Sequence, residues 1–289
     1  MSKIAEIQSS ECVVTNRYGQ TLVINKSIAG SFKRYGCLDK SGIDAIEEVL
    51  RLLHQPVCFD IGANIGNHTL VMSLFCKHVY LFEPQANIGI RLLDNLAAND
   101  VNNATCFPFG LSNKEQSLPL YVTSSGTRGA STFVPELARH DAEPVSLTIR
   151  IGDSVVQEHN IGQVDFIKID VEGMEAEALL GLTNTINSSK PIVLMEWNNE
   201  LTKNNFVRYK LFETLFADYE VMGIANIFDK RYWGTSMLQS LRRAFYKLTH
   251  KRRTSVIEFD IDSRYGNILL VPKSRQNVAQ SIRTKFAFP

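Results

Sequence analysis

Cys58-Phe-Asp-Ile-Gly-Ala-Asn-Ile-Gly66 is the stretch on which the reading of this chain turns. Apolar residues around one carboxylate run into two glycines four residues apart, and helical periodicity follows at Leu70, Val71, Leu74 and Phe75. That pattern is a strand, a tight turn and a helix, with Gly62 and Gly66 where backbone can approach a ligand at the carboxyl edge of a sheet. Beyond it, apolar runs at 79–83, 105–109, 164–170 and 191–197 alternate with helical stripes. One stripe carries Leu92, Leu93, Leu96 and Ala97, another Leu179, Leu180 and Ile186, another Phe206, Leu211, Phe212 and Leu215. Strands near 219–224 and 267–271 complete a doubly wound, seven-stranded sheet of the α/β class. Upstream, 12–14 and 22–24 flank Asn16 to Gln20 as a hairpin, and Ile43, Ile46, Leu50 and Leu53 mark a helix that Ser41 is expected to cap. The expected organisation is an N-terminal cover, 1–55, packed on a core domain, 56–289. A polar loop at 112–150 and a basic helical insert at 236–256 interrupt that domain.

Composition narrows the function. The chain has 289 residues, 44% of them hydrophobic, and 31 Lys and Arg balance 30 Asp and Glu to a net charge of +1. A disordered chain is excluded, and no global field recruits nucleic acid. The five cysteines, Cys12, Cys37, Cys58, Cys76 and Cys106, are odd in number and scattered, which predicts free thiols in a reducing compartment, not a disulfide framework or zinc site. Neither an export signal nor a long apolar run is visible, so a cytoplasmic location is expected, with peripheral contact at the inner membrane face kept open.

The glycine spacing is G-x-x-x-G, not the G-x-G-x-x-G of a dinucleotide site, and Asp60 stands just ahead of the first glycine. A carboxylate there opposes a diphosphate and suits the ammonium of a cofactor bearing an amino acid, which points to S-adenosylmethionine. Glu83 ends the second strand about 20 residues on, the place from which a carboxylate accepts hydrogen bonds from ribose hydroxyls.

Four blocks then carry a family resemblance: Phe59-Asp-Ile-Gly-Ala-Asn-Ile-Gly-Asn-His-Thr69, Phe82-Glu-Pro84, Gly110-Leu-Ser112 and, most specific, Phe166-Ile-Lys-Ile-Asp-Val-Glu-Gly-Met-Glu175. They resemble the FkbM-type methyltransferases over about residues 56–197, with a further segment at Gly266-Asn-Ile-Leu-Leu-Val-Pro272. The resemblance implies a class I methyltransferase (Rossmann-like) fold. It implies S-adenosylmethionine as cofactor, S-adenosylhomocysteine as product, and methylation of a hydroxyl on a sugar or natural product. It extends the cofactor set of Asp60, Gly62, Gly66 and Glu83 to Ala63, Asn64, Asn67, Pro84 and Asp170, and to Gly110, Leu111 and Ser112, with Ser112 expected beside the adenine.

Methyl transfer to a hydroxyl needs in-line alignment and removal of a proton. Asp170 and Glu172, on the turn after the fourth strand, are candidates for both tasks, with helix capping by Glu172 as the rival reading. Lys168 lies two residues earlier and on the same side of its strand, to orient Asp170 or to form a buried ion pair. Glu196 ends the fifth strand. Its oxygens would suit Mg²⁺, but acceptor binding by Glu196, with Trp197 stacked on a sugar face and Asn198 alongside, explains the same residues without a metal. His68 and His140 are candidate acceptor-binding residues or bases, and Arg128 is a candidate lid residue. Residues 237–253 join Met237, Leu238, Leu241, Phe245 and Leu248 at helical spacing with six basic residues, an element for an anionic or lipid-linked glycan. A NAD-type oxidoreductase, a nucleic-acid base methyltransferase and a non-catalytic cofactor-binding module are the competing readings. The first lacks its glycine motif and the second its Asn/Asp-Pro-Pro turn.

Overall fold

The computed structural model describes residues 7–123, 140, 142–226, 241, 244, 245 and 254–287. The chain opens with a hairpin, β1 (Glu11–Thr15) and β2 (Thr21–Asn25), and two helices, α1 (Ala29–Tyr35) and α2 (Lys40–Leu52). The glycine stretch follows as β3 (Val57–Ile61) and α3 (Asn67–Ser73), then β4 (His78–Phe82), α4 (Ala86–Ala98) and β5 (Ala104–Phe107). Strands β6 (Gly110–Ser112), β7 (Gln116–Thr123) and β8 (Ala142–Ile151) form a separate three-stranded sheet in the order β6-β8-β7. After α5 (Gly152–Glu158) come β9 (Phe166–Ile169), α6 (Glu175–Leu180), α7 (Thr183–Ser189), β10 (Ile192–Glu196) and α8 (Glu200–Arg208). Strands β11 (Tyr219–Asn226), β12 (Thr254–Glu258) and β13 (Asn267–Pro272) and a C-terminal helix, Gln276–Lys285, end the chain.

The main sheet runs β12-β11-β13-β10-β9-β3-β4-β5. Strands β5, β4, β3, β9 and β10 are mutually parallel, and β13 is antiparallel to both of its neighbours. The chain winds outward from β3 in one direction and from β9 in the other, so the doubly wound class I methyltransferase sheet is present. Its switch point lies between β3 and β9, where such sheets bind ligands. Helices cover both faces, which is why β9 reads as continuously apolar apart from Lys168. Cys58, Phe166, Ile192 and Leu194 face one core layer with α2 and the hairpin. Phe59, Ile61, Ile167, Val193 and Met195 face the other.

Several expectations are corrected. An eighth strand, β12, pairs antiparallel with β11, so residues 254–256 belong to the sheet and not to the basic insert. Much of 112–150 is not loop: β7 and β8 pair along eight residues, from Gln116↔Ile149 to Thr123↔Ala142. The polar run at 124–132 on which the loop reading rested lies outside the described residues. The third helix is two, because Gly181 brings its Cα onto the Ser112 carbonyl, 2.0 Å from where a Cβ would sit. Asp153 then accepts from the Asn184 and Thr185 N–H groups at the start of α7. The cap of α2 is Asp39, which accepts from Gly42 N; Ser41 lies within the first turn. Arg128 and most of 237–253 lie outside the described residues. Within that stretch, Leu241 and Phe245 are helical and exposed. No helix among the described residues is long and apolar enough to cross a membrane.

Candidate active site

Two turns meet at the switch point. Gly62 takes φ +78°, and a Cβ on it would lie 2.0 Å from the Asp170 carbonyl oxygen. The glycine turn after β3 and the acidic turn after β9 are therefore in backbone contact, and Asp170 N donates to Ile61 O at 3.0 Å. Gly62 N also donates to Phe82 O at the end of β4, at 2.9 Å. Glu83 follows at once. Its carboxylate accepts from Asn64 N (2.9 Å) through one oxygen and from Gln85 N (3.0 Å) through the other. Each oxygen keeps acceptor capacity, a donor set that suits a vicinal diol. Burial raises the Glu83 carboxyl, and the two N–H groups oppose that rise. Asn64 is exposed on the turn with φ +51°, Ala63 is buried, and Gly66, at φ +90°, packs on Leu92 of α4.

Beneath the glycine turn sits Lys168. Register pairs it with Asp60 across β3 and β9, and its Nζ lies 3.4 Å from Asp60 Oδ1, 3.8 Å from Asp170 Oδ2 and 3.1 Å from Gly62 O. Burial works to lower its pKa, but the Asp60 and Asp170 charges outweigh this and raise it, so the ammonium persists. Asp60 is fully buried and accepts from Thr69 Oγ1 at 2.6 Å. Its charge is balanced inside the sheet instead of facing a cofactor ammonium, which corrects the expected contact. Lys168 thus ties the sheet interior to both turns.

The acidic turn is held from below by Glu175, which sequence reasoning assigned no role. Buried Glu175 accepts from Val171 N (2.9 Å) and Gly173 N (3.3 Å) through one oxygen and from Thr202 Oγ1 through the other. The Asp-Val-Glu-Gly-x-Glu spacing carried that signal, since a carboxylate in the first turn of a helix reaches back to preceding N–H groups. Glu172, in the same turn, lies exposed at φ +55°. Gly173 takes φ +105°. Asp170 is partly exposed, its side chain 32% accessible. Opposite, Glu196 accepts from Asn198 Nδ2 at 2.7 Å. Burial, reinforced by the charges of Asp170 and Glu172, pushes Glu196 up to about 9, so it is protonated at neutral pH.

Other candidates fall elsewhere. Trp197 is fully buried, edge-on to Phe206 and Phe259, so it cannot stack on a sugar; apolar packing claimed the ring. Leu111 and Ser112 are buried, and the Ser112 carbonyl meets Gly181, so the Ser112 side chain has no accessible surface to offer an adenine. Gly110 lies against Pro84, joining the ends of β4 and β6. Asn67 accepts from Leu38 N and donates to Leu38 O, both at 3.3 Å, and anchors the N-terminal segment where a cofactor contact was expected. His140 is exposed in a stretch whose neighbours lie outside the described residues. His68 sits near the start of α3 with Nε2 3.5 Å from Asp39 Oδ2. No group of three or more His, Cys, Asp or Glu among the described residues is placed to hold a metal ion. Two clefts, of about 390 and 620 Å³, lie away from these turns, beside Glu220 and Arg283 and at the opposite edge beside Lys77 and His78.

The family model described as the methyltransferase FkbM domain matches residues 60–221, which contain both turns. The chain is 30% identical over 160 residues to the hexuronic acid methyltransferase AglP of Haloferax volcanii, covering 51% of this chain and 61% of that protein. It is 28% identical over 173 residues to the methyltransferase sdnD of Sordaria araneosa, covering 48% and 65%. The chain therefore spans less than two thirds of the length of either relative. Among solved structures it is similar to the methyltransferase FkbM of Methylobacillus flagellatus KT, with a TM-score of 0.45 and 17% identity, covering 81% of this chain and 46% of that one.

Proposed function

The chain belongs to the FkbM methyltransferase family, and we propose that it moves a methyl group from S-adenosylmethionine to a hydroxyl oxygen of a sugar or related polyhydroxylated acceptor. When bound, that cofactor supplies a methyl carbon on a sulfonium sulfur. Glu83 accepts from the ribose hydroxyls, and the glycine turn leaves backbone open to the amino-acid portion. Lys168 holds the Gly62 carbonyl and Asp170 in one arrangement, so the two sides of the reaction keep a fixed spacing. Asp170 and Glu172 present carboxylates where an acceptor hydroxyl would be oriented, and protonated Glu196 adds a hydrogen-bond donor. One observation supports this reading above the others: the backbone contact of Gly62 with Asp170, by which the glycine turn meets the acidic turn.

The acceptor class draws support from the hexuronic acid named for the Haloferax relative. A hexuronic acid offers a carboxylate as well as hydroxyls. The carboxylates of Asp170 and Glu172 disfavour an anion at the methyl, which favours the hydroxyl. Calorimetry should register S-adenosylhomocysteine and not NAD. Incubation with S-adenosylmethionine and a panel of hexose, deoxyhexose and hexuronic acid glycosides should then yield a product heavier by one methyl and stable to mild alkali. Methanol released by alkali would move the reaction to the carboxylate, and no product from any sugar would overturn the acceptor class.

A further inference from the structure

We propose that His68, aligned by Asp39, takes the proton of the acceptor hydroxyl, so that a residue ahead of the family-matched region completes the reaction site. The proposal rests on the hydroxyl reading above. Asp39 precedes α2 with φ 44° and ψ 66°, the left-handed region that strains a residue with a Cβ. Such strain persists where surroundings over-determine it, and here they do. Oδ1 does the capping, accepting from Gly42 N at 3.1 Å and Ser41 Oγ at 3.2 Å. Oδ2 is turned away from the helix, toward Asn267 Nδ2 at 3.0 Å and His68 Nε2 at 3.5 Å. Capping alone would not require the second oxygen to face an imidazole.

The dyad borders the acidic turn. Asn267 opens β13 in register with Glu196 at the end of β10, and the Asp39 charge adds to the upward push on Glu196. His68 comes two residues after Gly66 of the cofactor turn and is 8% exposed. Its Nε2 faces Asp39, and among the described residues Nδ1 makes no hydrogen bond. The charged groups around the site are Asp39 ahead of α2, Glu196 on β10, Asp170 and Glu172 after β9, and Lys168 with Asp60 inside the sheet. Of these, Glu196 already holds a proton and Asp170 is engaged by the Lys168 ammonium at 3.8 Å. An imidazole with a carboxylate beside one nitrogen and a free lone pair on the other can accept a hydroxyl proton through that lone pair.

The step balances. The acceptor oxygen forms its bond to the methyl carbon and the carbon–sulfur bond breaks with its electron pair on sulfur. The hydroxyl proton passes to Nδ1, giving an imidazolium paired with Asp39. Asp39 is fitted to that charge: burial would raise its carboxyl, but His68, Gly42 N and Asn267 outweigh burial and hold it well below the usual carboxylate range.

Two measurements on the full chain test this. Long-range ¹H–¹⁵N spectra of the S-adenosylhomocysteine complex need no acceptor. Neutral His68 should carry its proton on Nε2, and Asp39→Asn should erase that preference; a proton on Nδ1 in the wild type would overturn the dyad. With any sugar the wild type methylates, His68→Gln should lower kcat about 100-fold or more, with S-adenosylhomocysteine affinity within about twofold of wild type as the control for folding. Asp39→Asn should lower kcat less and shift the acid limb of its pH profile. Wild-type kcat in His68→Gln would also overturn the proposal. A wild type inactive on every sugar, or an alkali-labile product, would fail the acceptor reading instead, and the tautomer would still decide the dyad.

Discussion

Glu196 shows what one buried carboxyl does to the balance of this molecule. In the unfolded chain it titrates near 4.5 and in the folded one near 9. Between those values the unfolded state releases a proton that the native state keeps, so the stabilising contribution is complete below about 4.5 and is lost as pH rises through 9. Glu196→Gln removes the titration while keeping the shape. Wild type should therefore lose thermal stability from pH 5 to pH 9 more steeply than the variant, and the variant should melt higher at pH 8.5; about 1 kcal/mol corresponds to a Tm difference of about 2–4 °C. Parallel Tm–pH curves would mean that Glu196 is solvated and ionised. Burial raises the Glu83 carboxyl as well, but the Gln85 and Asn64 N–H groups oppose it, and its proposed part is to accept from the ribose. Glu83→Ala should weaken S-adenosylhomocysteine binding by about 1.5–3 kcal/mol, the range for hydrogen bonds to a charged group. Unchanged calorimetric affinity in a variant with wild-type circular dichroism would end the ribose assignment.

Glycines in this chain separate turns under constraint from helix positions that are merely small. Gly62→Ala would drive a methyl group onto the Asp170 carbonyl at a positive φ, so the β3 and β9 turns must part, costing about 2 kcal/mol or more and abolishing cofactor binding. Gly89, inside α4, has nothing within 4 Å of a Cβ, and Gly89→Ala should stabilise by about 0.4–1 kcal/mol. Urea melts of the pair should move in opposite directions; a neutral Gly62→Ala would show that the turns are not in contact. The same distinction explains how much of the molecule could be read in advance. Strands β3, β4, β9, β10 and β13 were legible because each is a local apolar run buried on both faces, and the Gly62 turn and Glu83 because spacing along one chain places them. The second partner of Asp39 and the inward turn of Asp60 depend on residues more than 100 positions away, Asn267 for Asp39 and Lys168 for Asp60, whereas the Glu175 clasp was spelled locally by its spacing from Val171 and Gly173. Trp197 was misplaced because an aromatic residue at a strand end reads alike whether it meets a ligand or, as here, Phe206 and Phe259.

The N-terminal segment determines whether these parts act as one molecule. Leu22, Ile24, Phe32, Leu38, Ile46, Val49 and Leu50 belong to the same core layer as Leu194, Met222 and Ile224 of the main sheet. At roughly 1.5–3 kcal/mol for each large apolar side chain, their burial is worth on the order of 10–20 kcal/mol, comparable to the 5–15 kcal/mol by which whole domains are stable. Polar ties reinforce it: Asn95 accepts from Val23 N and donates to Val23 O, Asn99 does the same with Thr21, and Arg91 pairs with Glu11. A chain beginning at residue 56 should therefore lose its cooperative unfolding transition and bind a hydrophobic dye, and adding residues 1–55 as a separate peptide should restore both the transition and cofactor binding. A truncated chain that melts cooperatively at the wild-type temperature would mean that the sheet is stable without its cover. If the truncated chain instead folds and binds S-adenosylhomocysteine but transfers no methyl group, the segment's contribution is chemical, and Asp39 is the residue through which it acts.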